Sequence, residues 1–455
     1  MHTNKTIFTL YLLVAALLMA GCTRYLDAKP NKALVVPGTP ADAYAMMQEY
    51  NLLHASQPML AFLSADDFYL ADSYVAAAEV NDRDAYLWQT QTANTTITLW
   101  RNPYAAILLA NSAIPLLEKA EVPAAEAGKK AAYLGKAYFI RAWHHYTLAN
   151  LFAAPYREAT AGSTPGIPIK LLPHLDEPVR RGTLTDTYQQ IIQDVNRAIA
   201  LLPPPPQPAY LPDRSAALLL RANIAMHMHQ YDSARTAGRA ALALRPGLIN
   251  YNTLNATADF PFQRFNAEVL YHAIITGSGM LSTNNWRCDT GLYRQYDTND
   301  LRRTLFFKLN GPAAAGFRGD YGGEGEIDIF CGLSNNETYL IVAECEARAG
   351  NTAAAMQVLN SLLANRWRTG TFVPYTAATA SEALTLVLAE RRKELVGRHN
   401  RWYDLRRLNA GHNAGITLQR RVGSNLYELP PNDLRYTFLI PQAVIDLAGI
   451  AQNPR

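Results

Sequence analysis

The sequence predicts a mainly α-helical protein, an irregular stack of helix pairs interrupted by a long loop-rich and aromatic-rich region. Apolar residues recur at i, i+3, i+4 and i+7 spacing over long stretches, as they do in amphipathic helices. No segment shows sustained alternation of apolar and polar residues, so no long strand is expected. Residues 247–334 lack the helical period and are richer in Asn, Gly and aromatic residues. A loop region of this length is usually functional or disordered, and its rings favour a functional role.

The helical period predicts eight helices. They cover residues 98–119, 125–152, 184–202, 214–229, 231–245, 335–349, 353–367 and 381–408. Local signals mark several boundaries, such as Ser381 with Glu382 at one start and Gly350 at the end of another helix. We therefore expect antiparallel helix pairs within residues 98–245 and 335–408.

Small residues recur at a fixed distance within two of these pairs. Ala222 and Ala234 are twelve positions apart, and so are Ala343 and Ala355. Small side chains let two helices approach closely, and this spacing is typical of a tetratricopeptide unit. The sequence predicts two tetratricopeptide-like pairs here and a third over 98–152, in a short curved stack.

The N-terminal residues predict a lipoprotein. Lys5 precedes an uncharged run over 6–20, which has the length of a secretory signal and is too short to span a bilayer comfortably. Small residues then lead to Cys22, whose thiol would accept the diacylglycerol of a bacterial lipoprotein. We expect residues 1–21 to be a cleaved signal peptide and Cys22 to be the lipid anchor. Thr23 is not the acidic residue that retains lipoproteins in the inner membrane, so the outer membrane is predicted.

The composition excludes several functions. A net charge of +4 over 455 residues is too small to predict binding to nucleic acid. The mature residues 22–455 are expected to form a single domain. Cys288, Cys331 and Cys345 have no CxxC spacing, so neither a zinc site nor a redox pair is predicted. A bridge between Cys288 and Cys331 stays open, because sequence does not show whether their Cα atoms approach.

The chain carries no recognisable catalytic motif: HExxH, GxSxG and phosphate-binding loops are absent from the sequence. His144 and His145 are adjacent on a predicted helix, so we expect one half-buried and one solvated ring rather than a metal pair. No metal or cofactor is expected. A glycoside hydrolase stays an alternative, since two of the 38 acidic residues need only lie close in space. A non-catalytic binding protein fits better, because aromatic faces and a few polar groups suffice for recognition.

A signature near the C-terminus carries a family resemblance. From Glu390 the chain reads ERRKEL, and from Arg398 it reads RHNRWYDLRRL. CTRYLD stands at the predicted lipid site, RAW begins at Arg141 and IP begins at Ile440. In this order, the motifs resemble the SusD/RagB family of outer-membrane nutrient-binding lipoproteins. Arg455 replaces the Gly-Tyr that usually closes the chains of this family.

The resemblance implies a function at the cell surface. Members sit over a TonB-dependent SusC-like transporter, capture a nutrient and act as a lid. The helical repeats would pack mainly against the transporter, and the loops would hold the ligand. An oligosaccharide is the commonest ligand of the family and a peptide is a variation. A tetratricopeptide-like scaffold that binds another lipoprotein is an alternative of a different class.

The signature itself is interpreted as structural. Glu390 and Glu394 share one helix face, and Trp402 and Leu405 belong to a stripe that would be buried. Charge-assisted bonds around this stripe are expected from the polar members of the signature, Arg401, Asp404 and Arg406.

Two aromatic-rich regions are the candidates for the ligand face. Residues 66–88 lie where family members often place ligand contacts, and residues 286–321 form the second region. Because aromatic rings offer apolar faces, we expect Trp88, Trp286 and Tyr296 to stack on the ligand. The candidate ligand-binding residues are Asp67, Tyr69, Tyr74, Asn81, Arg83, Trp88, Trp286, Arg287, Tyr293, Tyr296 and Tyr321.

Overall fold

The computed structural model describes residues 37–455 apart from 90–96, 175–177, 277–284, 310, 312–313, 324–327 and 413. The chain divides into two compact units, Met1–Thr39 and Pro40–Arg455, and all elements below belong to the second. The predicted signal peptide and the predicted lipid anchor Cys22 lie outside the described residues.

The described residues form 18 α-helices, which confirms the mainly α-helical fold class. They are α1 (Pro40–Met46), α2 (Tyr50–His54), α3 (Leu60–Leu63), α4 (Asp72–Ala77), α5 (Val80–Tyr86), α6 (Thr98–Lys119), α7 (Ala127–Phe152), α8 (Glu158–Ala161), α9 (Leu184–Leu201), α10 (Arg214–His227), α11 (Tyr231–Leu244), α12 (Thr290–Tyr293), α13 (Arg302–Leu305), α14 (Asn335–Arg348), α15 (Thr352–Leu363), α16 (Ala380–Glu394), α17 (Asn400–His412) and α18 (Gln442–Ala448).

Short strands lie in several of the segments between these helices. Those of the described residues are β1 (Phe68–Tyr69), β2 (Pro165–Pro168), β3 (Arg181–Thr183), β4 (Val269–Tyr271), β5 (Ile274–Thr276), β6 (Arg287–Cys288), β7 (Phe307–Leu309), β8 (Ala315–Phe317), β9 (Asp328–Phe330), β10 (Leu333–Ser334), β11 (Leu418–Val422) and β12 (Asn425–Leu429).

The long helices stack in chain order. Consecutive members of one series of long helices pack against each other, namely α6, α7, α9, α10, α11, α14 and α15. Helix α16 then packs against both α14 and α15. The four alanines that predicted close helix pairing are fully buried. At Gly238 on α11, an added Cβ would lie 2.8 Å from Val342 Cγ2 on α14, so a small residue is required at this crossing. The predicted stack of helix pairs is confirmed.

Capping boxes begin two of the helices. The Thr183 hydroxyl accepts a bond from the Asp186 N–H, and the Asp186 carboxylate accepts one from the Thr183 N–H. Thr379 and Glu382 make the same reciprocal pair at the start of α16. These bonds satisfy backbone donors that a helix start leaves without partners. The helix therefore begins just before Ser381, the predicted starting residue.

The last predicted helix, 381–408, is two helices. Between α16, which ends at Glu394, and α17, which begins at Asn400, Gly397 adopts φ +74°. An added Cβ at Gly397 would lie 2.5 Å from Phe317 Cζ, so both the backbone conformation and the close contact require glycine. The apolar spacing continues across this break, which is why the sequence pattern did not reveal it.

The region 247–334, predicted to consist of loops, contains the short strands β4 to β10. Four strands form one sheet in the order β1-β6-β8-β7, and β4 pairs with β10 and β5 with β9. Strands of two or three residues are too short to show alternation in the sequence. Their pairing gives the loop-rich region a defined framework.

The described cysteines are free and buried, so the bridge between Cys288 and Cys331 that the sequence left open is not formed. Cys288 lies opposite Phe68 in the sheet, whereas the Cys331 N–H donates to the Ala273 carbonyl. Among the helices of the described residues, none combines the length and the apolar character needed to cross a membrane.

Candidate functional site

The two candidate ligand regions meet in one sheet. β1 pairs antiparallel with β6, so Phe68 lies opposite Cys288 and Tyr69 lies opposite Arg287. Opposed residues of paired strands point to the same face of a sheet. Phe68 and Cys288 are buried, whereas Tyr69 is 37% exposed and Arg287 is half-buried. The two regions thus share an outer face that carries a ring and a guanidinium.

This outer face continues across the sheet. Arg287 lies opposite Gly316 on β8, and Gly316 lies opposite Lys308 on β7. Lys308 is exposed, and its Nζ lies 2.9 Å from Asp259 Oδ1. The face therefore presents an aromatic ring at one end and basic side chains towards the other.

Helix α4, which begins three residues after the end of β1, adds a second exposed ring. Tyr74 is 46% exposed, while Val75 is buried and fixes the helix to the core. The Asp72 carboxylate accepts a 2.9 Å bond from the Gly423 N–H in the turn of the β11–β12 hairpin. The hairpin therefore braces the segment that carries Tyr69 and Tyr74.

Three other candidates are half-buried. Asn81 and Arg83 lie on α5, and Tyr293 ends α12. The Tyr293 ring packs edge-on against Phe307, with centroids 5.4 Å apart, and the Arg303 guanidinium lies 5.1 Å from the ring centroid. The candidates that reach the surface are Tyr69, Tyr74, Asn81, Arg83, Arg287 and Tyr293.

Four candidate rings are core residues and have no free face for a ligand, contrary to expectation. Trp88 is 3% exposed, and Trp286, Tyr296 and Tyr321 are each 1% exposed. Trp286 stacks on Phe68 with ring centroids 5.4 Å apart. The loop-rich region thus builds an aromatic core of its own, and its ring content reflects packing as well as recognition.

Hydrogen bonds fix three of these buried rings. Trp88 Nε1 donates to the Ser64 carbonyl at 2.9 Å. The Tyr296 hydroxyl donates to the Lys393 carbonyl at 2.8 Å, and the Tyr321 hydroxyl donates to Glu268 Oε2 at 2.9 Å. Their polar ends are satisfied inside the protein, as buried tyrosines and tryptophans require.

Asp66 and Asp67 attach the first candidate region to α16 and α17. Arg401 Nε donates to Asp66 Oδ1 at 2.6 Å, and Arg392 Nε donates to Asp67 Oδ1 at 3.0 Å. Although burial opposes it, Arg401 and Arg392 hold the pKa of Asp66 well below its usual range. Burial, the largest effect, raises the pKa of Asp67 to about 6. Asp67 therefore serves an internal contact rather than an open ligand site.

Arg420 supports the same region, and sequence reasoning missed it. Its guanidinium donates to the backbone carbonyls of Leu63, Ala65 and Tyr86. The guanidinium also lies over the Tyr86 ring, 3.6 Å from its centroid, and 4.7 Å from the Trp88 centroid. Desolvation lowers the pKa of Arg420 to about 10. Its hydrogen-bond partners are 334 to 357 residues away in sequence, so no local pattern reveals them.

The glutamates of the C-terminal signature belong to a buried ion network. Arg302 donates to Glu390 at 2.7 Å and to Glu394 at 3.0 Å. Arg366 joins Glu394 to Glu268, with both N–O distances 2.8 Å. All these groups are buried and mutually paired, which is the condition for keeping charges in a protein interior. The network supports the structural interpretation of the signature.

The second half of the signature is also internal. Trp402 and Leu405 are fully buried, and Trp402 stacks on Tyr436 with centroids 4.9 Å apart. Asp404 accepts a 2.7 Å bond from Arg391 Nε on the preceding helix. These contacts clamp α16 to α17 across the break between them.

His144 and His145 do not form an accessible pair. Both rings are fully buried, so the expectation that one is solvated is wrong. Burial lowers the pKa of His144 to about 4 and that of His145 to about 3, so both are neutral at pH 7. In the part of the chain that the structure describes, no group of three His, Cys, Asp or Glu side chains is placed to hold a metal ion.

Two family models match the chain. One, described as starch-binding and associating with the outer membrane, matches residues 24–226, and the other, described as the SusD family, matches residues 336–453. The chain belongs to the SusD family. The two matches include both the β1 segment and the C-terminal signature of this SusD-family protein.

Known relatives agree with this assignment. The SusD-like protein P2 of Formosa agariphila is 24% identical over 404 residues, which cover 75% of this chain and 76% of the relative. A SusD superfamily protein from Bacteroides thetaiotaomicron has a TM-score of 0.74 at 22% identity, covering 92% of this chain and 100% of its own. Surface glycan-binding protein A from Bacteroides fluxus has a TM-score of 0.69 at 18% identity, with the same coverage. At these identities the structural likeness establishes the fold.

Proposed function

We propose that this SusD-family chain is a cell-surface lipoprotein that binds an oligosaccharide and delivers it to a TonB-dependent SusC-like transporter. The ligand would lie on a face formed by β1, β6, α4 and α5. The observation that carries this assignment is the pair of exposed rings, Tyr69 and Tyr74, with Arg287 beside Tyr69 in the sheet.

The chemistry of this face suits a sugar. An exposed ring offers an apolar surface to the C–H face of a pyranose, and its hydroxyl offers a polar edge. Asn81, Arg83 and Arg287 add groups that donate hydrogen bonds to sugar hydroxyls. Stacking and hydrogen bonding suffice for capture and need no nucleophile, so the protein acts as a non-catalytic binder.

The anchor and the partner follow from the N-terminus and the family. An acylated Cys22 would hold the protein at the outer membrane through more than one acyl chain, as durable anchoring requires. The matching family model is described as associating with the outer membrane, and the related Bacteroides fluxus protein is named a surface glycan-binding protein. The helical stack, which lies outside the ligand face, is the surface that we assign to the transporter.

A binding experiment tests this function. A glycan microarray identifies an oligosaccharide, and isothermal titration then compares wild type with Tyr69→Ala and Tyr74→Ala. Loss of one stacking ring costs about 1 to 3 kcal/mol, taking base stacking as a guide, so each variant should bind roughly 5- to 150-fold more weakly.

Tyr210→Ala is the matched control, because Tyr210 is exposed to the same extent as Tyr74 but lies outside the proposed face. Its affinity should equal that of wild type. Binding of peptides without binding of any oligosaccharide, or unchanged affinity in both ring variants, would contradict the proposal.

A further inference from the structure

The protein has a polar cavity that none of the candidate ligand-binding residues line. Its volume is about 160 Å³, and it opens between the segment after α7, helix α8, helix α17 and the turn Leu434–Tyr436. Hydroxyl, amide and guanidinium groups line it, namely Thr160, Thr164 and Thr437, Asn432, and Arg157 and Arg406. This cavity is smaller than a typical drug-sized pocket and matches a single sugar unit rather than a polymer.

The floor of the cavity carries a buried cation without an acidic partner. Arg406 is 4% exposed, and its guanidinium donates to the carbonyls of Tyr436 and Ala153. No carboxylate among the described residues forms an ion pair with it, and burial raises the pKa of the nearby phenols of Tyr188, Tyr403 and Tyr436, so they are neutral at pH 7. Desolvation lowers the pKa of Arg406 to about 10, so it stays a cation at pH 7. Backbone dipoles alone compensate this charge.

A second cation stands at the rim. Arg157 is exposed, and its Nη2 donates to Asn432 Oδ1 at 2.6 Å. Asn432 adopts φ +63°, a left-handed conformation that asparagine tolerates better than most residues, and this places its amide at the rim. This bond holds Arg157 at the cavity that Arg406 also lines.

The acidic residue of the lining is already neutralised. Asp433 accepts bonds from Arg435 Nε at 2.9 Å and from Arg435 Nη2 at 2.8 Å. These bonds lower the pKa of Asp433 and keep it ionised but paired. With Asp433 occupied by Arg435, the net field in the cavity is positive.

We propose that this cavity binds one pyranose unit that carries an anionic group, either a carboxylate or a sulfate ester. Arg157 and Arg406 pair with the anion through charge-assisted hydrogen bonds, which are roughly twice as strong as neutral ones. The threonine hydroxyls bond to ring hydroxyls, and Pro155 with the 48% exposed Leu434 faces the C–H side of the ring. The inference rests on the proposed role in glycan binding and adds a class of sugar to it.

Isothermal titration with three monosaccharides tests the cavity. Glucuronic acid carries a carboxylate, glucose 6-sulfate carries a sulfate ester, and glucose carries neither. We expect at least one anionic sugar to bind at least tenfold more tightly than glucose, and the comparison of the two identifies the anion. Equal affinity for all three sugars, or no binding of either anionic sugar at millimolar concentration, would overturn the inference.

Variants locate the binding. Arg157→Gln should weaken binding of the anionic sugar about tenfold, and Pro155→Trp should block the cavity. Arg101 is an exposed arginine on α6, so Arg101→Gln is the matched control and should bind the sugar as wild type does. Arg406→Lys retains the charge but loses the planar fork, so it should also weaken binding. Because Arg157 and Pro155 lie at the rim, their variants keep the test valid if Arg406→Lys does not fold. Unchanged affinity in Arg157→Gln and Pro155→Trp would refute the assignment.

The proposed function and this inference fail in different ways. If Tyr69→Ala weakens oligosaccharide binding as predicted while the cavity variants change nothing, the inference fails and the proposed function stands. If glucuronic acid binds in the cavity while no oligosaccharide binds the protein, the inference stands and the proposed function fails.

Discussion

The sharpest structural prediction concerns Arg420 on β11. Its guanidinium is buried, donates to three backbone carbonyls and lies against the rings of Tyr86 and Trp88. Arg420→Ala leaves these carbonyls without donors and opens a gap beneath the rings. The segment that carries the candidate ligand face rests on this contact.

The expected loss of stability follows from opposing contributions. A buried polar group that loses its partner costs about 1 to 3 kcal/mol, and three carbonyls lose theirs. The lowered pKa of Arg420 shows that burying its charge is itself unfavourable, and the variant regains that desolvation cost. Water entering the gap would solvate part of the exposed carbonyls. We therefore expect a net loss of about 3 to 5 kcal/mol in the free energy of unfolding, in the lower part of the range that three such losses span.

Urea unfolding followed by circular dichroism measures this loss. Arg421→Ala is the matched control, because Arg421 is the next residue of the same strand and is exposed. Its free energy of unfolding should change by less than about 0.5 kcal/mol. If Arg420→Ala loses less than about 1 kcal/mol, or no more than Arg421→Ala, the reasoning about the buried guanidinium is refuted.

Three further predictions address the signature, the pH dependence and the anchor. Trp402→Ala should lower the free energy of unfolding by about 3 to 5 kcal/mol without a specific loss of ligand binding, and normal melting with abolished binding would instead make the signature a site. Because the fold lowers the pKa of His144 and of His145, their contribution to stability is complete above pH 6.5 and is lost as the pH falls towards 4 and 3, by up to about 1.4 kcal/mol per pH unit for each ring. Urea unfolding at several pH values should therefore give His145→Gln a shallower dependence of the free energy of unfolding on pH than wild type. An equal dependence in the two proteins contradicts the argument. Cys22→Ala should fold but leave the membrane fraction, and retention at wild-type levels in cells without the transporter would refute the lipid anchor.

The helical stack was predictable because its determinants are local. Each of these signals can be seen within one or two helices: the 3.6-residue period, the twelve-residue spacing of alanines and the glycine at position 350. Gly350 adopts φ +81° between α14 and α15, as its place in the sequence suggested. Gly397 has the same left-handed conformation, but it stands within a run of charged and apolar residues that continues the helical period, so the break there was not visible.

The candidate face was only partly predictable because its determinants are distant in sequence. β1 and β6 meet across more than 200 residues, and Asp66 meets Arg401 across 335. Composition located both aromatic-rich regions, yet it does not distinguish an exposed ring such as Tyr74 from a buried one such as Trp286. That distinction depends on which side of a two-residue strand or a short helix faces the core.

The crystal structure of the protein with an oligosaccharide identified on a glycan array tests the central claim most directly. The account predicts sugar density on the outer face of β1 and α4, with a pyranose ring stacked on Tyr69 or Tyr74 and a hydroxyl within hydrogen-bonding distance of Arg287. Density that lies only against the helical stack, with Tyr69 and Tyr74 free of contact, would contradict it.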